Sequence, residues 1–185
     1  MRGRDKLLEI VDGVPQLRRA IDAARKGGIR KVWVTLQPGD TARRPTLTGS
    51  WAKVVEVPGW DEGIAASLRA GAQAILPHRP SGLLILLADL PEITADDISR
   101  FVIAHAEHPE AIWRGTAEDG TSGHPVLLPA SMIPGLLDLK ADEGARAILN
   151  GKGADVRPLQ LPGFHANLDL DTPEAWSQWR AKTGR

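Results

Sequence analysis

The chain has 185 residues, of which 42% are hydrophobic and 25% charged, as is ordinary for a soluble globular domain. Its 23 basic and 23 acidic side chains cancel, so no global field favours nucleic acid or an anionic membrane. The lack of cysteine excludes disulfides, thiolate nucleophiles and cysteine-bound metals, and fits a reducing cytoplasm. No apolar run is long enough to span a membrane. We therefore expect a single cytoplasmic domain over residues 1–185.

The first third of the chain alternates helical and strand patterns. Proline opens the first helix, and two consecutive glycines end it. A stretch rich in proline, glycine and polar residues then separates two short strands. The predicted elements are a helix from Pro15 to Gly27, a strand at 31–36, a loop at 37–50, a strand at 53–58 and a helix from Asp61.

An uninterrupted apolar run, residues 83–88, ends abruptly in Asp89. Such a run predicts a strand buried on both faces, as in a parallel sheet. Asp89 then lies at the carboxyl end of the strand, where open α/β sheets bind their ligands. The alternative is that Asp89 caps a helix or closes a turn. A helix is predicted to begin at Thr94, with Asp97 placed to form a structure close to a capping box.

The rest of the chain continues the alternation. The predicted elements are a strand at 111–115, a polar turn at 117–123, a strand at 124–128, a short helix at 141–151, a strand at 156–161 and a last helix from Asp171. Strands that alternate with helices indicate an α/β sheet covered by helices on both faces.

A second acidic cluster lies just before the last helix. Strand-like alternation would place Asn167, Asp169 and Asp171 on one face. Oxygen ligands of this kind suit Mg²⁺, which is held by one or two carboxylates plus substrate phosphates. Because Asp171 also stands where a helix cap is needed, capping is the favoured interpretation for it. Asp169 is not needed as a helix cap, so metal binding is the favoured interpretation for it.

Three further features are compatible with ligand binding but have simpler explanations. Arg2, Arg4 and Lys6 could hold a polyphosphate, although a solvated basic terminus is the commoner outcome. Small residues at 62–68 would let backbone N–H groups approach an anion, or would serve close helix packing. His124 could bind substrate or act as a base, but a histidine without a catalytic task is commoner in a turn.

Taken together, these stretches resemble the MobA-like nucleotidyltransferases, and most closely their molybdenum cofactor cytidylyltransferase branch. The motifs that carry the resemblance appear in the family's order along nearly the whole chain. They are residues 1–8 (MRGRDKLL), 12–15 (DGVP), 62–68 (EGIAASL), 88–91 (ADLP), 123–127 (GHPVL), 142–146 (DEGAR) and 169–174 (DLDTPE). The resemblance implies a three-layer, Rossmann-like α/β sandwich with a mostly parallel sheet, as in the nucleotide-diphospho-sugar transferases.

The resemblance also implies roles for particular residues. Lys6 and Asp89 would be catalytic, and Asp89 and Asp169 would bind Mg²⁺. The implied nucleotide-binding residues are Arg4, Lys6, Gly63, Ser67 and Asp89, and the implied acceptor-binding residues are Gly123, His124 and Asp142.

The implied reaction transfers a nucleoside monophosphate, CMP from CTP, to a phosphorylated acceptor such as molybdopterin and releases pyrophosphate. A molybdoenzyme or its chaperone would be the protein partner. Two alternatives stay open, a sugar-phosphate or other small-molecule nucleotidyltransferase and a non-catalytic relative that binds a cofactor or partner. The family's first strand and Gly-rich loop would precede Met1. We therefore expect the chain as given to be marginally stable and a poor enzyme.

Overall fold

The computed structural model describes residues 5–140, 149 and 155–185. The predicted helix at 141–151 lies outside this described part, apart from residue 149. The helices of the described part are α1 (Gln16–Lys26), α2 (Ile64–Ile75), α3 (Ala95–Glu107) and α4 (Pro173–Thr183). Its strands are β1 (Ile10–Val11), β2 (Val14–Pro15), β3 (Val32–Leu36), β4 (Ala52–Glu56), β5 (Gly82–Ile85), β6 (Ile112–Thr116), β7 (Ser122–Pro129) and β8 (Val156–Gln160).

The larger strands form two sheets. β3 and β4 are a parallel pair, and the other sheet has the order β5-β7-β6-β8. In that sheet β6 and β8 are parallel, whereas β7 runs antiparallel to both of its neighbours. The predicted Rossmann-like α/β fold class is confirmed, with a sheet of mixed direction around its apolar centre.

Two apolar clusters on opposite faces of the strands make three layers. Because side chains alternate along a strand, β7 contributes to both clusters. Leu127 packs with α1 and α3 residues such as Ala24 and Phe101. Val126 and Leu128 pack instead with α2 and with the segment that follows β7. Helices therefore cover the sheet from both sides, as the alternating pattern predicted.

The strand after α2 is shorter than the apolar run suggested. β5 ends at Ile85, and of its residues only Ile85 is fully buried. Its one partner among the described strands is β7, and β3 likewise pairs only with β4. Among the described residues, five of the six side chains of the apolar run are half-buried, so the run is not buried on both faces as predicted.

Helix starts were predicted well in one case and incorrectly in another. Thr94 caps α3, and it forms the full capping box with Asp97. The residue that caps α4 is Thr172, whose Oγ1 accepts a hydrogen bond from the Ala175 amide. The interpretation of Asp171 as the cap is therefore wrong, because the neighbouring hydroxyl satisfies the helix start and leaves the Asp171 carboxylate for another contact. No helix in the described ranges has the length and apolarity needed to cross a membrane.

Candidate active site

Lys6 occupies a short 3-10 turn at the beginning of the described chain, Lys6–Leu8. The turn forms because Asp5 caps it, with its Oδ1 accepting a hydrogen bond of 3.0 Å from the Leu7 amide. The other carboxylate oxygen of Asp5 pairs with Arg43 at 2.6 Å. The backbone that carries Lys6 is thus fixed at both its own turn and a neighbouring loop.

The Lys6 ammonium contacts three carboxylates, which we call the carboxylate cluster: Asp89, Asp169 and Asp171. Nζ lies 2.8 Å from Asp89 Oδ2, 2.8 Å from Asp169 Oδ1 and 2.7 Å from Asp171 Oδ1. Partial burial opposes the charge of Lys6, but the hydrogen bonds to Asp169, Asp171 and Asp89 outweigh it and hold its pKa above the ordinary value. The same hydrogen bond lowers the pKa of Asp171. Lys6 is therefore charged at neutral pH.

Asp89 reaches the cluster from a turn four residues beyond β5. The turn is held by Gln16, the first residue of α1, whose Nε2 donates a 2.9 Å hydrogen bond to the Ala88 carbonyl. Gln16 is only 1% exposed, and its Oε1 has no hydrogen-bond partner in the described part of the chain. An amide in an otherwise apolar core thus ties the start of α1 to the residue next to Asp89.

Asp169 and Asp171 reach Lys6 from a segment without regular strand structure. Leu170, between them, is buried with Trp176 of α4, and its carbonyl accepts a 2.8 Å hydrogen bond from Trp176 Nε1. With Leu170 facing the core, the two flanking carboxylates extend to the other side. The alternation predicted this grouping of Asp169 and Asp171, although Asn167 is not among the contacts described for Lys6.

The chemistry of the cluster suits a hard divalent cation. Three carboxylates converge on one positive charge, and carboxylate oxygens are the ligands that Mg²⁺ and Ca²⁺ take in proteins. Among the described residues, no group of three or more His, Cys, Asp or Glu side chains is close enough to hold a metal ion. The residue types fit such an ion, and the lysine stands between them.

A pocket of about 250 Å³ lies at the carboxyl ends of the parallel strands β3 and β4. Such ends are the usual ligand sites of α/β sheets. Its lining residues are Thr35, Leu36, Gln37, Arg43, Val57, Trp60 and Ser67. Because Asp5 pairs with Arg43, the pocket wall and the Lys6 turn are joined directly.

Ser67 and Gly63, two of the predicted nucleotide-binding residues, differ in their position relative to the pocket. Ser67 lines the pocket from the first turns of α2. Gly63 precedes α2 with a φ of +91°, a conformation that favours glycine, and it is not among the lining residues. The positive φ ends the 3-10 turn Trp60–Glu62 and lets α2 begin, and nucleotide binding by Gly63 stays a prediction.

Gly123 and His124 lie at the start of β7, as predicted. A Cβ on Gly123 would lie 2.0 Å from the Ala166 carbonyl oxygen, so only glycine fits there. The His124 amide donates to the same carbonyl at 2.8 Å. Burial lowers the pKa of His124, and the nearby Arg114 lowers it further, whereas a hydrogen bond with the Ile85 backbone and the charge of Asp89 act in the opposite direction. His124 is therefore a neutral imidazole within electrostatic reach of the cluster.

Two predicted site residues cannot be placed. Arg4 and Asp142 lie outside the described residues. Gln16, Arg43 and Trp60 belong to the candidate site but were not predicted from the sequence, and Asp171 was predicted to cap a helix. Only Asp171 had a signal, its alternation with Asp169.

A family model described as the MobA-like NTP transferase domain matches residues 1–157. The chain belongs to the MobA-like NTP transferase family. The predicted family is thereby confirmed, and with it membership of a nucleotidyltransferase family.

Relatives support the same conclusion. The chain is 29% identical over 175 residues to the phosphoenolpyruvate guanylyltransferase of Rubrobacter xylanophilus, covering 91% of this chain and 79% of the relative. The crystal structure of Rv0371c from Mycobacterium tuberculosis H37Rv is similar with a TM-score of 0.80 and 26% identity, over 96% of this chain and 89% of that one. A structure of Rv0371c in complex with manganese has a TM-score of 0.74 and 27% identity, over 94% and 89% of the two chains.

Proposed function

We propose that this chain transfers a nucleoside monophosphate from a nucleoside triphosphate to a small phosphorylated acceptor and releases pyrophosphate. The observation that carries the proposal is the contact of Lys6 with Asp89, Asp169 and Asp171. The turn that holds Lys6 is joined to the pocket at β3 and β4 by the Asp5–Arg43 pair. A cationic side chain and a carboxylate set for a divalent ion are the two charge elements that a triphosphate site needs. The Asp5–Arg43 pair links them to a pocket whose lining includes an aromatic ring and polar side chains.

In this proposal the nucleoside enters the pocket and the phosphates extend toward the cluster. Trp60 is 54% exposed and offers an aromatic face on which a base can stack. Gln37 and Arg43 line the same pocket and carry hydrogen-bond donors for the base or sugar. Ser67 supplies a hydroxyl at the start of α2, where the helix dipole favours an anion.

The protein's work is positioning and charge neutralisation rather than covalent catalysis. Asp89 and Asp169, with Asp171, would hold the divalent cation, for which Mg²⁺ stays the prediction. When bound, the cation would supply charge stabilisation for phosphate oxygens and the leaving pyrophosphate. Lys6 would bind the phosphates, and Arg4 would add to the positive charge there. The acceptor would bind on the Gly123 and His124 side, with Asp142.

CTP and molybdopterin stay the substrates predicted from the cytidylyltransferase resemblance, with a molybdoenzyme or its chaperone as the protein partner. A second candidate, transfer of GMP from GTP to phosphoenolpyruvate, is favoured by the name of the Rubrobacter relative. Both fit the same charge arrangement, since each joins a triphosphate to a phosphorylated acceptor. The base and the acceptor are therefore what the experiment must separate.

The test incubates the protein with Mg²⁺ or Mn²⁺, one of CTP and GTP, and one of molybdopterin and phosphoenolpyruvate. Pyrophosphate release and the mass of the nucleotidyl product are measured for each combination. One combination should release pyrophosphate only when its acceptor is present. If no combination does so and neither triphosphate binds in titration calorimetry, the proposed function is wrong.

A further inference from the structure

The Lys6 ammonium occupies the position that all three carboxylates of the cluster share. Its contacts of 2.7 to 2.8 Å are those of charge-assisted hydrogen bonds. Oxygen atoms lie about 2.0–2.1 Å from Mg²⁺, so the same oxygens would have to move inward around that ion. A second cation among them would also lie close to the ammonium and be repelled by it. The ammonium and a metal ion therefore exclude one another at this position.

The charge balance of the cluster favours exchange. Three carboxylates contact the single Lys6 ammonium. Asp171 is 69% exposed and Asp169 45% exposed, which leaves a route for an ion from solvent. A divalent cation brings twice the charge of the ammonium to the same oxygens.

The Lys6 side chain can change its conformation while the backbone around it stays fixed. Its turn is fixed through Asp5, which caps the turn and pairs with Arg43. The ammonium lies at the end of a flexible four-carbon stem. The side chain can therefore leave the cluster while its backbone stays in place.

We propose that Lys6 is an internal counter-ion that holds the carboxylate cluster together until a divalent cation displaces it, and that displacement frees its ammonium for the nucleotide phosphates. The inference rests on the proposed function, because it gives the same site an order of events. Metal binding and release of Lys6 are one exchange, so the protein presents its lysine to phosphate only when the metal is in place.

The first experiment titrates Mn²⁺ into nucleotide-free protein and compares the wild type with Lys6→Met. Removal of the competing ammonium should tighten Mn²⁺ binding about tenfold or more. Lys53→Met is the matched control, because Lys53 is exposed on β4 and its loss removes the same charge elsewhere. Equal affinity in wild type and Lys6→Met would overturn the exchange.

The second experiment uses unmutated protein, so it is independent of the folding of any variant. An amine-selective reagent labels the lysines, and mass spectrometry measures the labelled fraction at Lys6 and Lys53. Mn²⁺ should raise labelling at Lys6 alone, and adding the triphosphate should lower it again. Labelling at Lys6 that does not respond while Mn²⁺ binds would contradict the exchange.

Asp89→Asn separates this inference from the proposed function. Suppose that Asp89→Asn loses Mn²⁺ binding while labelling of Lys6 in the wild type does not change with Mn²⁺. The cluster then binds the metal, and only the proposed exchange is wrong. If Asp89→Asn binds Mn²⁺ as the wild type does, the metal site and the exchange are both wrong.

Discussion

Gln16 and Ala88 are joined by a hydrogen bond of 2.9 Å, from the Gln16 side-chain amide to the Ala88 carbonyl. The bond crosses from the first turn of α1 to the residue before Asp89. Gln16 therefore holds the backbone of this turn from a buried position. Groups that support a metal ligand in this way commonly matter for metal affinity without touching the ion.

Gln16→Met tests this support. Methionine keeps the length of the side chain and loses the donor to Ala88, but it also removes the buried, unpaired Gln16 Oε1. We expect the free energy of unfolding to change by less than about 1 kcal/mol, because the two effects offset one another. Mn²⁺ affinity should weaken about 10- to 100-fold, since Asp89 is no longer held. Calorimetry measures both quantities.

The control is Gln73→Met, because Gln73 is exposed on α2. It should leave both stability and Mn²⁺ affinity unchanged. If Gln16→Met binds Mn²⁺ with wild-type affinity, the hydrogen bond to Ala88 does not support the metal site.

Asp89→Asn is expected to abolish metal-dependent turnover and leave the fold intact. Asparagine keeps the shape of the side chain and removes the charge that a cation requires. Turnover should fall about a hundredfold or more, because metal stabilisation of phosphate charge contributes several kcal/mol. Pyrophosphate release measures the effect, and thermal unfolding checks the fold. Asp138→Asn, at an exposed aspartate, is the control; full activity in Asp89→Asn would remove the metal role.

The sequence predicted elements and charge groups better than it predicted contacts across the chain. Apolar periodicity located α1, and the start of α3 was readable from the Thr94 capping box because both partners lie within four residues. The meeting of Lys6 with Asp169 and Asp171 joins residues more than 160 positions apart. Local pattern cannot show such a contact, and only the family resemblance suggested that Lys6 and Asp169 share a site.

The helix cap predicted at Asp171 is provided by the next residue in the sequence. Thr172, not Asp171, caps α4, and this freed Asp171 for Lys6. No local sequence pattern marks Gln16, because its burial and its bond to Ala88 depend on how α1 packs. Trp60 and Arg43 come from loops whose paths periodicity does not describe.

Trp60→Ala should weaken triphosphate binding. Stacking of a base on an aromatic side chain contributes about 1–3 kcal/mol, so the dissociation constant should rise roughly 5- to 100-fold. Titration of CTP and GTP in the presence of Mg²⁺ measures the loss for each base. Trp51→Ala is the matched control, because Trp51 is 66% exposed but stacks on Arg25 and does not line the pocket. Equal losses in the two variants would place the base elsewhere.

His124 should make the protein less stable as the pH falls below about 6.5, the ordinary pKa of histidine. Its folded-state pKa is lowered by burial and by Arg114, and its Nδ1 is buried without a described hydrogen-bond partner. Below pH 6.5 the unfolded chain therefore takes up a proton that the folded chain does not. The unfolded state binds more protons, so stability rises with pH and is lost as the pH drops.

His124→Asn removes this titration, so its melting temperature should decline less between pH 7 and pH 5 than that of the wild type. Thermal unfolding across this range measures the slope, and the slope rather than the absolute melting temperature is compared, because the substitution also changes packing. His108→Asn, at an exposed histidine beyond α3, is the control for loss of one imidazole. If the melting temperature of His124→Asn falls as steeply with pH as that of the wild type, protonation of His124 does not cause the loss of stability. The conclusion that His124 is neutral in the folded protein would then be wrong.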